Sequence, residues 1–342
     1  GASSLEVGNI HSVEGIVVGD WQDTVNELSG FYLQEEDTDA DMDMTTSEGI
    51  FIFDDGFGVD VNEGDLVRVK GTVDEFGDLT QIDTITEVQV CSSGNSVTTT
   101  SVTMPVATVD TWEQYEGMLV QVEGTLYVTE GFLLGRYGQV PVSVNSRLWN
   151  PTQVVTPGVD ANNYEDLNNR SRIALDDANT NQNAEPTLYP TGGLSATNTL
   201  RGGETIPNVV GVIDHYTNDS ANDYRIYPTQ AVAFTDANPR PATPDPVGGT
   251  LQVASFNVLN YFTTLDGNGS ICGPMADQGC RGADNALEFD RQNDKIVNAL
   301  LTMDADIVGL MEIENHATDD ALNFLVSELN AGGGAYTALN TG

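Results

Sequence analysis

The sequence predicts a mostly β amino-terminal region of OB-like barrels, followed by the first part of an α/β sandwich. Two observations predict this order. Up to residue 236, apolar and polar residues alternate in short runs that end at Gly, Asp or Asn, which is the period of half-buried strands. Beyond a proline-rich stretch, the pattern changes to a strand, a helix, a buried strand and a second helix, as in α/β domains.

Residues 1–95 are predicted to form the first barrel. Runs such as Gly49–Phe53 and Leu66–Gly71 alternate between apolar and polar or small residues and begin or end at glycine. Five or six short strands with glycine at the bends fit a small closed barrel of the OB type, because glycine lets a strand coil around a corner.

Residues 96–236 are predicted to form a second β domain. The run Glu63–Thr72 returns as Glu116–Thr125, and a weaker echo relates Val69–Asp74 to Val209–Asp214. Both copies of the first repeat place a tight turn before a half-buried strand. The stretch 145–206 is rich in Asn, Asp, Pro and Thr, which indicates a long polar insertion in this domain.

The third region follows a linker at 237–249, whose four prolines favour an extended and semi-rigid chain. Residues 250–342 are predicted to be the amino-terminal part of an α/β domain. Its predicted elements are a strand at 251–258, a helix at 287–303, a buried strand at 307–311 and a helix at 318–330.

The charge of the chain limits its partners. It carries 52 acidic and 12 basic residues, a formal net charge of −40, which excludes a surface that holds nucleic acid through Lys and Arg alone. Phosphate binding would therefore need metal cations. The excess of small carboxylates suits a secreted or a salt-adapted protein, and we expect an extracellular one. No apolar run reaches the ~18 residues of a membrane span, and the first residues lack the regions of a signal peptide, so we expect an already processed chain with no membrane span.

The three cysteines are unequal in their surroundings. Cys272 and Cys280 lie close together in a loop rich in Gly and Asp, so a Cys272–Cys280 disulfide is predicted, with two free thiols as the alternative. Cys91 stands alone at the end of a strand-like run. It is either a buried thiol or the partner of a cysteine elsewhere.

Polar residues stand at the ends of both apolar strands of the third region. Asn257 closes the first strand and Glu312 closes the second. Strand ends are where α/β sheets present chemical groups to solvent. A carboxylate there can hold a hard divalent cation, and an amide can orient a phosphate oxygen without adding negative charge.

These strand ends belong to a larger set of motifs. They are Ser255–Asn260, Asp290–Gln292, Lys295–Ile296 and Asp306–Asn315, preceded by Leu134–Gly138, Ile173–Asp177 and Asn238–Pro241. As a set they resemble the opening of an endonuclease/exonuclease/phosphatase domain, and more specifically that of large extracellular bacterial nucleases in which a β-rich region precedes the catalytic domain.

The resemblance implies a metal-dependent deoxyribonuclease that hydrolyses phosphodiester bonds of extracellular DNA. It places a divalent cation, Mg²⁺ or Mn²⁺ with Ca²⁺ as a further candidate, on Glu312 and near Asn257. The family's later strands, which carry its histidine–aspartate pair, have no counterpart in this chain, so we expect it to be an incomplete amino-terminal part that is inactive alone. His316 is interpreted as a loop residue.

Two other functions remain open from the sequence. The first is a non-catalytic module of β domains that binds DNA or holds the protein at a cell surface. The second is a phosphatase or a sphingomyelinase-like phosphodiesterase of the same superfamily. Barrels before the catalytic part favour DNA over lipid by analogy.

An acidic run in the first region has the spacing of a calcium loop. Its ligand positions are Asp37, Asp39, Asp41, Asp43 and Glu48. Met42 stands where the EF-hand requires glycine, and the flanking residues predict strands, so a standard EF-hand is excluded. The remaining alternatives are an acidic hairpin that binds Ca²⁺ and a solvated run of charge.

Aromatic and arginine residues supply candidate DNA contacts. The aromatic residues that could stack on bases, or belong to the barrel cores, are Trp21, Trp112, Trp149, Tyr32, Tyr115 and Tyr137. The arginines that could face phosphates, or pair with the abundant carboxylates, are Arg136, Arg147, Arg170, Arg172 and Arg201.

Overall fold

The computed structural model describes residues 4–41, 43, 45–195, 197–215, 224–267 and 269–339. The chain divides into two compact units with a boundary between Asn238 and Pro239, inside the segment predicted as a linker. Strands make up most of the regular structure of the first unit, with short helices between some of them, and the second unit contains α and β elements. Among the described residues, no helix combines the length and apolar character needed to cross a bilayer.

A closed five-stranded barrel begins the first unit, which confirms the predicted mostly β region with a small closed barrel. Its strands are β1 (Ile10–Trp21), β2 (Gly30–Gln34), β3 (Gly49–Phe53), β4 (Leu66–Phe76) and β5 (Leu79–Ser92). They pair in the order β1-β2-β3-β5-β4, and β4 returns to β1. The β3–β5 pairing is parallel and the others are antiparallel.

Alternation along β4 builds the barrel core. Val67, Val69 and Val73 are buried inside the barrel, and the intervening Arg68 and Lys70 are exposed. At Gly71 the register of β4 against β5 shifts, and a Cβ at this position would lie 2.5 Å from the carbonyl oxygen of Asp83. A glycine is therefore required for this close approach at the bend of the strand.

The half-buried carboxyl group of Asp20 on β1 gives a pH-dependent prediction. Burial, together with the carboxylates of Asp60 and Glu27, raises the pKa of Asp20 from 3.8 to about 6. The folded state therefore holds this proton more tightly, and stability is lost as the pH rises from about 4 to about 6. At pH 7.5 we expect Asp20→Asn to unfold at a higher urea concentration than the unsubstituted chain. Its free energy of unfolding should be higher by about 1 kcal/mol after allowance for solvent screening. This difference should disappear below pH 4. An equal difference at both pH values would contradict the assignment.

The second β region continues the same compact unit. Its strands are β6 (Thr100–Val102), β7 (Leu119–Val128), β8 (Val140–Val144), β9 (Arg172–Leu175), β10 (Thr205–His215) and β11 (Tyr224–Pro228). They form one sheet in the order β10-β11-β9-β8-β7-β6, and β10 also pairs with β7. The pairings of β7, β8, β9, β11 and β10 therefore return to their start, and a core of apolar side chains from these strands lies between them.

Short helices connect these strands. They are a 3₁₀ helix (Val109–Tyr115), α1 (Leu134–Tyr137), α2 (Pro151–Val154) and α3 (Val159–Arg170). The predicted insertion at 145–206 thus contains α2, α3 and β9 besides its loops. Gly117, with φ +73°, follows the 3₁₀ helix and lies against the backbone of Gly49 at the start of β3, so neither position has room for a side chain.

The second unit has a parallel strand pair covered by two helices. Its elements are β12 (Val253–Tyr261), β13 (Ile271–Cys272), β14 (Gln278–Gly279), α4 (Ala286–Met303), β15 (Ile307–Ile313) and α5 (Asp320–Ala331). Strands β12 and β15 are parallel, with Asn257 beside Met311. Cys272 and Cys280 form a disulfide, and Cys91 is an exposed free thiol.

One face of this strand pair is buried and the other is open. Val258 of β12 packs with Ile296 and Leu300 of α4 and with Leu325 of α5. On the opposite face Val253 is 67% exposed, with Ile307 and Met311 also exposed on β15. The described part of this unit is therefore a half-covered sheet with one helical layer.

Candidate functional site

Strands β12 and β15 bring together the two polar residues that the sequence singles out. Asn257 does not close its strand as predicted, because β12 continues to Tyr261, whereas Glu312 is the last residue but one of β15. The side-chain Nδ2 of Asn257 donates a hydrogen bond of 2.7 Å to Oε1 of Glu312. The Oδ1 atom of Asn257 accepts a hydrogen bond of 2.8 Å from the backbone nitrogen of Leu259. Both ends of the amide are thus engaged, so Asn257 holds the Glu312 carboxylate in one orientation.

The backbone around this pair departs from a regular strand. Leu259, Asn260 and Glu312 have φ values of +51°, +53° and +60°. Non-glycine residues adopt this region at a cost of ~1–3 kcal/mol, and such residues cluster at functional sites. The positive φ of Glu312 breaks the alternation of exposed and less exposed residues along β15. Met311 and Glu312 are both exposed, and Glu312 lies on the open face beside Asn257.

The donor set of the Asn257–Glu312 pair suits a hard cation. Glu312 is exposed, one of its oxygens is fixed by Asn257, and no described residue donates a hydrogen bond to its other oxygen. Carboxylate oxygens are preferred ligands of Mg²⁺ and Ca²⁺. Asn257 orients the carboxylate in this arrangement, and its own oxygen is used by Leu259.

Polar residues that follow Glu312 in the chain form hydrogen bonds close to the Asn257–Glu312 pair. Glu314 is buried and accepts hydrogen bonds from the backbone nitrogens of Thr263 (2.8 Å) and Thr264 (3.1 Å). Burial alone would raise the pKa of Glu314, but the hydrogen bonds from these threonines outweigh it and lower the pKa. His316 lies in the loop before α5, where its Nδ1 is 2.9 Å from Oγ1 of Thr318.

The acidic run of the first unit does not gather its carboxylates around one point among the described residues. Asp37 accepts hydrogen bonds from Thr98, and Asp43 accepts them from Thr45. Glu48 accepts one of 3.1 Å from the backbone nitrogen of Asp41, and Asp39 is exposed. These groups are engaged locally, as in a solvated loop.

The candidate arginines are each engaged separately. Arg136 lies over the ring of Tyr137, Arg147 lies 5.4 Å from the ring centroid of Trp149, and Arg170 pairs with Asp166. The remaining two are Arg172, which donates to Asn169, and Arg201, which donates to the carbonyl of Asn238.

The candidate aromatic residues divide between the core and the surface. Trp112 and Tyr32 are buried in the core, Trp21 packs against Tyr32, and Tyr115 packs against Trp112. Trp149 is 51% exposed and carries the guanidinium of Arg147. It is therefore the candidate of this set with the most accessible ring for stacking on a base.

A cleft of about 1020 Å³ opens within the first unit. Its floor is a buried polar network: Arg225 donates to Asp214 (2.6 Å) and to Asp176 (3.2 Å), and the Tyr32 hydroxyl donates to Asp214 (2.6 Å). Burial raises the pKa of Asp176. Burial also raises the pKa of Tyr32, and the negative charge of Asp214 raises it further. The aromatic residues that line the cleft include Phe53, Phe76, Phe132 and Tyr137.

A second polar cluster lies beside this floor. Among the described residues, ligand-type atoms of Glu113, Glu116 and His215 lie within 4.8 Å of one another, and this group could bind a metal ion. We call these three residues the buried triad, after His215 and Glu116, whereas the side chain of Glu113 is 33% exposed. Sequence reasoning missed it, because its members come from the 3₁₀ helix, from the residue that follows this helix and from the end of β10, which is far from them in the chain.

Comparison with known proteins reaches only part of the chain. A family profile described as a domain of unknown function (DUF8508) matches residues 81–238. No curated protein and no solved structure matches the chain. The matched span contains the buried triad and the Asp214–Arg225 pair of the cleft floor, whereas Asn257 and Glu312 lie beyond it.

Proposed function

We propose that the chain is the amino-terminal part of a secreted, metal-dependent endonuclease that hydrolyses DNA phosphodiester bonds. The observation that carries the proposal is the hydrogen bond from Asn257 to Glu312 between two parallel strands. The two residues belong to separate segments that resemble one nuclease family, and the fold brings their side chains together on an open face.

The residues present fit a divalent cation of the Mg²⁺ or Mn²⁺ type. Glu312 would hold it through the oxygen that no described residue engages, and Asn257 would keep that carboxylate in place. When bound, such an ion neutralises charge on phosphoryl oxygens and lowers the pKa of a water molecule. With a net charge of −40, the chain also needs cations to approach a polyanion.

The open face of the second unit supports a sandwich as its complete fold. The exposed side chains of Val253, Ile307 and Met311 form an apolar surface on β12 and β15 opposite the helices. Parallel strands such as β12 and β15 are normally covered on both faces, since exposed apolar strands are costly. Further strands packed here would also surround Glu312, so we propose that residues 1–342 alone do not cut DNA.

The first unit would then contact the substrate. Its closed barrel has five strands, as OB barrels have, and such barrels commonly bind oligonucleotides. The exposed Trp149 and the Arg147 guanidinium over it combine a stacking ring with a cation for phosphate. The exposed Trp149 and Arg147 also favour the second candidate function, a non-catalytic DNA-binding module.

Plasmid cleavage separates these functions. We expect a longer form that includes further strands of the α/β domain to nick supercoiled DNA with Mg²⁺ or Mn²⁺ and to stop when EDTA is added. Residues 1–342 should bind DNA without nicking it. Absence of nicking by both, with DNA retained by residues 1–342, would favour the binding module. Hydrolysis of sphingomyelin instead of DNA would assign the chain to lipid phosphodiesterases.

A further inference from the structure

The buried triad is held in place by backbone pairing between two distant segments. Glu113 lies in the 3₁₀ helix, Glu116 directly follows this helix, and His215 ends β10. The backbone nitrogen of Gly117 donates 2.7 Å to the carbonyl of Ile213, whose own nitrogen donates 3.2 Å to Met118. These bonds fix Glu116 and His215 side by side before any side-chain interaction is considered.

The distances within the buried triad match those between ligands of one metal ion. The Nδ1 atom of His215 is 3.6 Å from Oε2 of Glu116 and 3.9 Å from Oε2 of Glu113. These separations are too long for hydrogen bonds. Ligands bound at ~2.1 Å in tetrahedral geometry lie roughly 3.4 Å apart, so a small contraction would place the three atoms around one ion.

Burial supplies an independent observation. The His215 side chain is 5% exposed and that of Glu116 is 11% exposed. Neither the Nδ1 atom of His215 nor Oε2 of Glu116 has a hydrogen-bond partner among the described residues, although both are shielded from solvent. Buried polar atoms are nearly always satisfied, so two unsatisfied atoms that face each other point to a ligand between them.

Surrounding residues orient the triad as an outer shell orients metal ligands. The Tyr224 hydroxyl donates 2.8 Å to Oε2 of Glu113, and the Tyr224 ring stacks on His215 with centroids 4.1 Å apart. The backbone nitrogen of Thr80 donates 3.2 Å to Oε1 of Glu116, which directs the other oxygen towards His215. Hydrogen bonds of this kind fix the orientation of ligating carboxylates.

We propose that Glu113, Glu116 and His215 bind one divalent transition-metal ion of the Zn²⁺ type. The imidazole nitrogen decides the class, because Mg²⁺ and Ca²⁺ take oxygen ligands, whereas imidazole suits Zn²⁺. The ion ties the 3₁₀ helix to the end of β10 and stabilises the wall of the cleft. It is distinct from the cation proposed at Glu312, and the inference does not rest on nuclease activity.

Metal titration of residues 1–342 tests this site without any activity measurement. Chelator-treated protein is titrated with Zn²⁺ by calorimetry in the presence of excess Mg²⁺, and the melting temperature is followed in parallel. We expect one tight site that Mg²⁺ does not fill, and a higher melting temperature with Zn²⁺. The absence of such a site would overturn the proposal.

Variants locate the site. His215→Gln and Glu116→Gln should each weaken Zn²⁺ binding by more than about 100-fold, and Tyr224→Phe by about 10-fold to 100-fold, as for outer-shell partners. His316→Gln, which removes an exposed histidine beside Asp320, is the matched control and should bind as the unsubstituted chain does. Unchanged affinity in His215→Gln would overturn the assignment.

A crystal of the unsubstituted chain grown with Zn²⁺ covers the case in which the variants do not fold. Anomalous scattering at the zinc edge should give a peak among Glu113, Glu116 and His215. Peaks confined to exposed carboxylates would contradict the proposal.

Discussion

In the longer, active form, Glu312→Gln is expected to nick plasmid DNA at least about 100-fold more slowly than the unsubstituted protein. A bound cation contributes several kcal/mol to the stabilisation of charge in such reactions, and each 1.4 kcal/mol is a factor of about ten. The neutral amide keeps the size of the side chain but loses its charge. Because Glu312 is exposed, the urea midpoint of unfolding should not change.

Two further variants separate ligation from orientation at this site. Asn257→Ala removes the donor that holds Glu312, and we expect a loss of about 10-fold to 100-fold, as for other residues that orient metal ligands. Asp294→Asn changes one exposed carboxylate on α4 and should leave nicking unchanged. If Glu312→Gln and Asp294→Asn cut DNA equally well, Glu312 does not belong to the reacting centre.

The sequence could single out Asn257 and Glu312 because their signal is local. Both residues follow an apolar run, and parallel strands end at the same edge of a sheet. The strand end itself was placed wrongly at Asn257, because β12 continues to Tyr261, and the parallel register brings Asn257 beside Met311. What the sequence did not show is how the amide is used. The left-handed backbone at Glu312 turns its side chain towards Asn257, and no residue type in the segment indicates that turn.

The internal repeats show where sequence similarity stops being informative. The stronger repeat relates Leu66 of β4 to Leu119 of β7, yet β4 is the fourth strand of the first barrel in chain order and β7 is the first strand of the second ring. Its shared feature is a tight turn before a strand, which is a local property.

The weaker echo relates strands in equivalent positions. It aligns Gly71 of β4 with Gly211 of β10, and both strands pair with the last strand of their own ring. A Cβ at Gly211 would overlap the carbonyl of Tyr227, just as one at Gly71 would crowd Asp83. Pairing with a strand distant in sequence imposes the same close backbone approach in both rings. The number of identical residues in an alignment does not measure this constraint.

The buried triad and the cleft floor were missed because their parts are distant in sequence. The signal that identified Glu312 was nevertheless present at Asp214 and His215, two polar residues that end the apolar strand β10. Their partners could not be predicted, since Arg225, Asp176 and Glu116 meet them only through the pairing of strands and the position of the 3₁₀ helix.

The cleft floor gives the largest expected effect on stability. Arg225 lies between Asp214 and Asp176, which are 2% and 4% exposed, and it is the cation that pairs with both. Arg225→Met keeps the length of the side chain but leaves two carboxylates buried without that charge. Removing one partner of a buried ion pair costs about 3–5 kcal/mol, so the urea midpoint of residues 1–342 should fall markedly.

Arg68→Met is the matched control because the same substitution is made at an exposed ion pair. Arg68 lies 2.7 Å from Glu14, and their side chains are 54% and 36% exposed. Surface pairs of this kind contribute about 0–1 kcal/mol, so this variant should unfold nearly as the unsubstituted chain does. Equal midpoints for the two variants would mean that solvent reaches Asp214 and Asp176. Since these carboxylates line the cleft, its floor would then be hydrated and not a desolvated network held by Arg225.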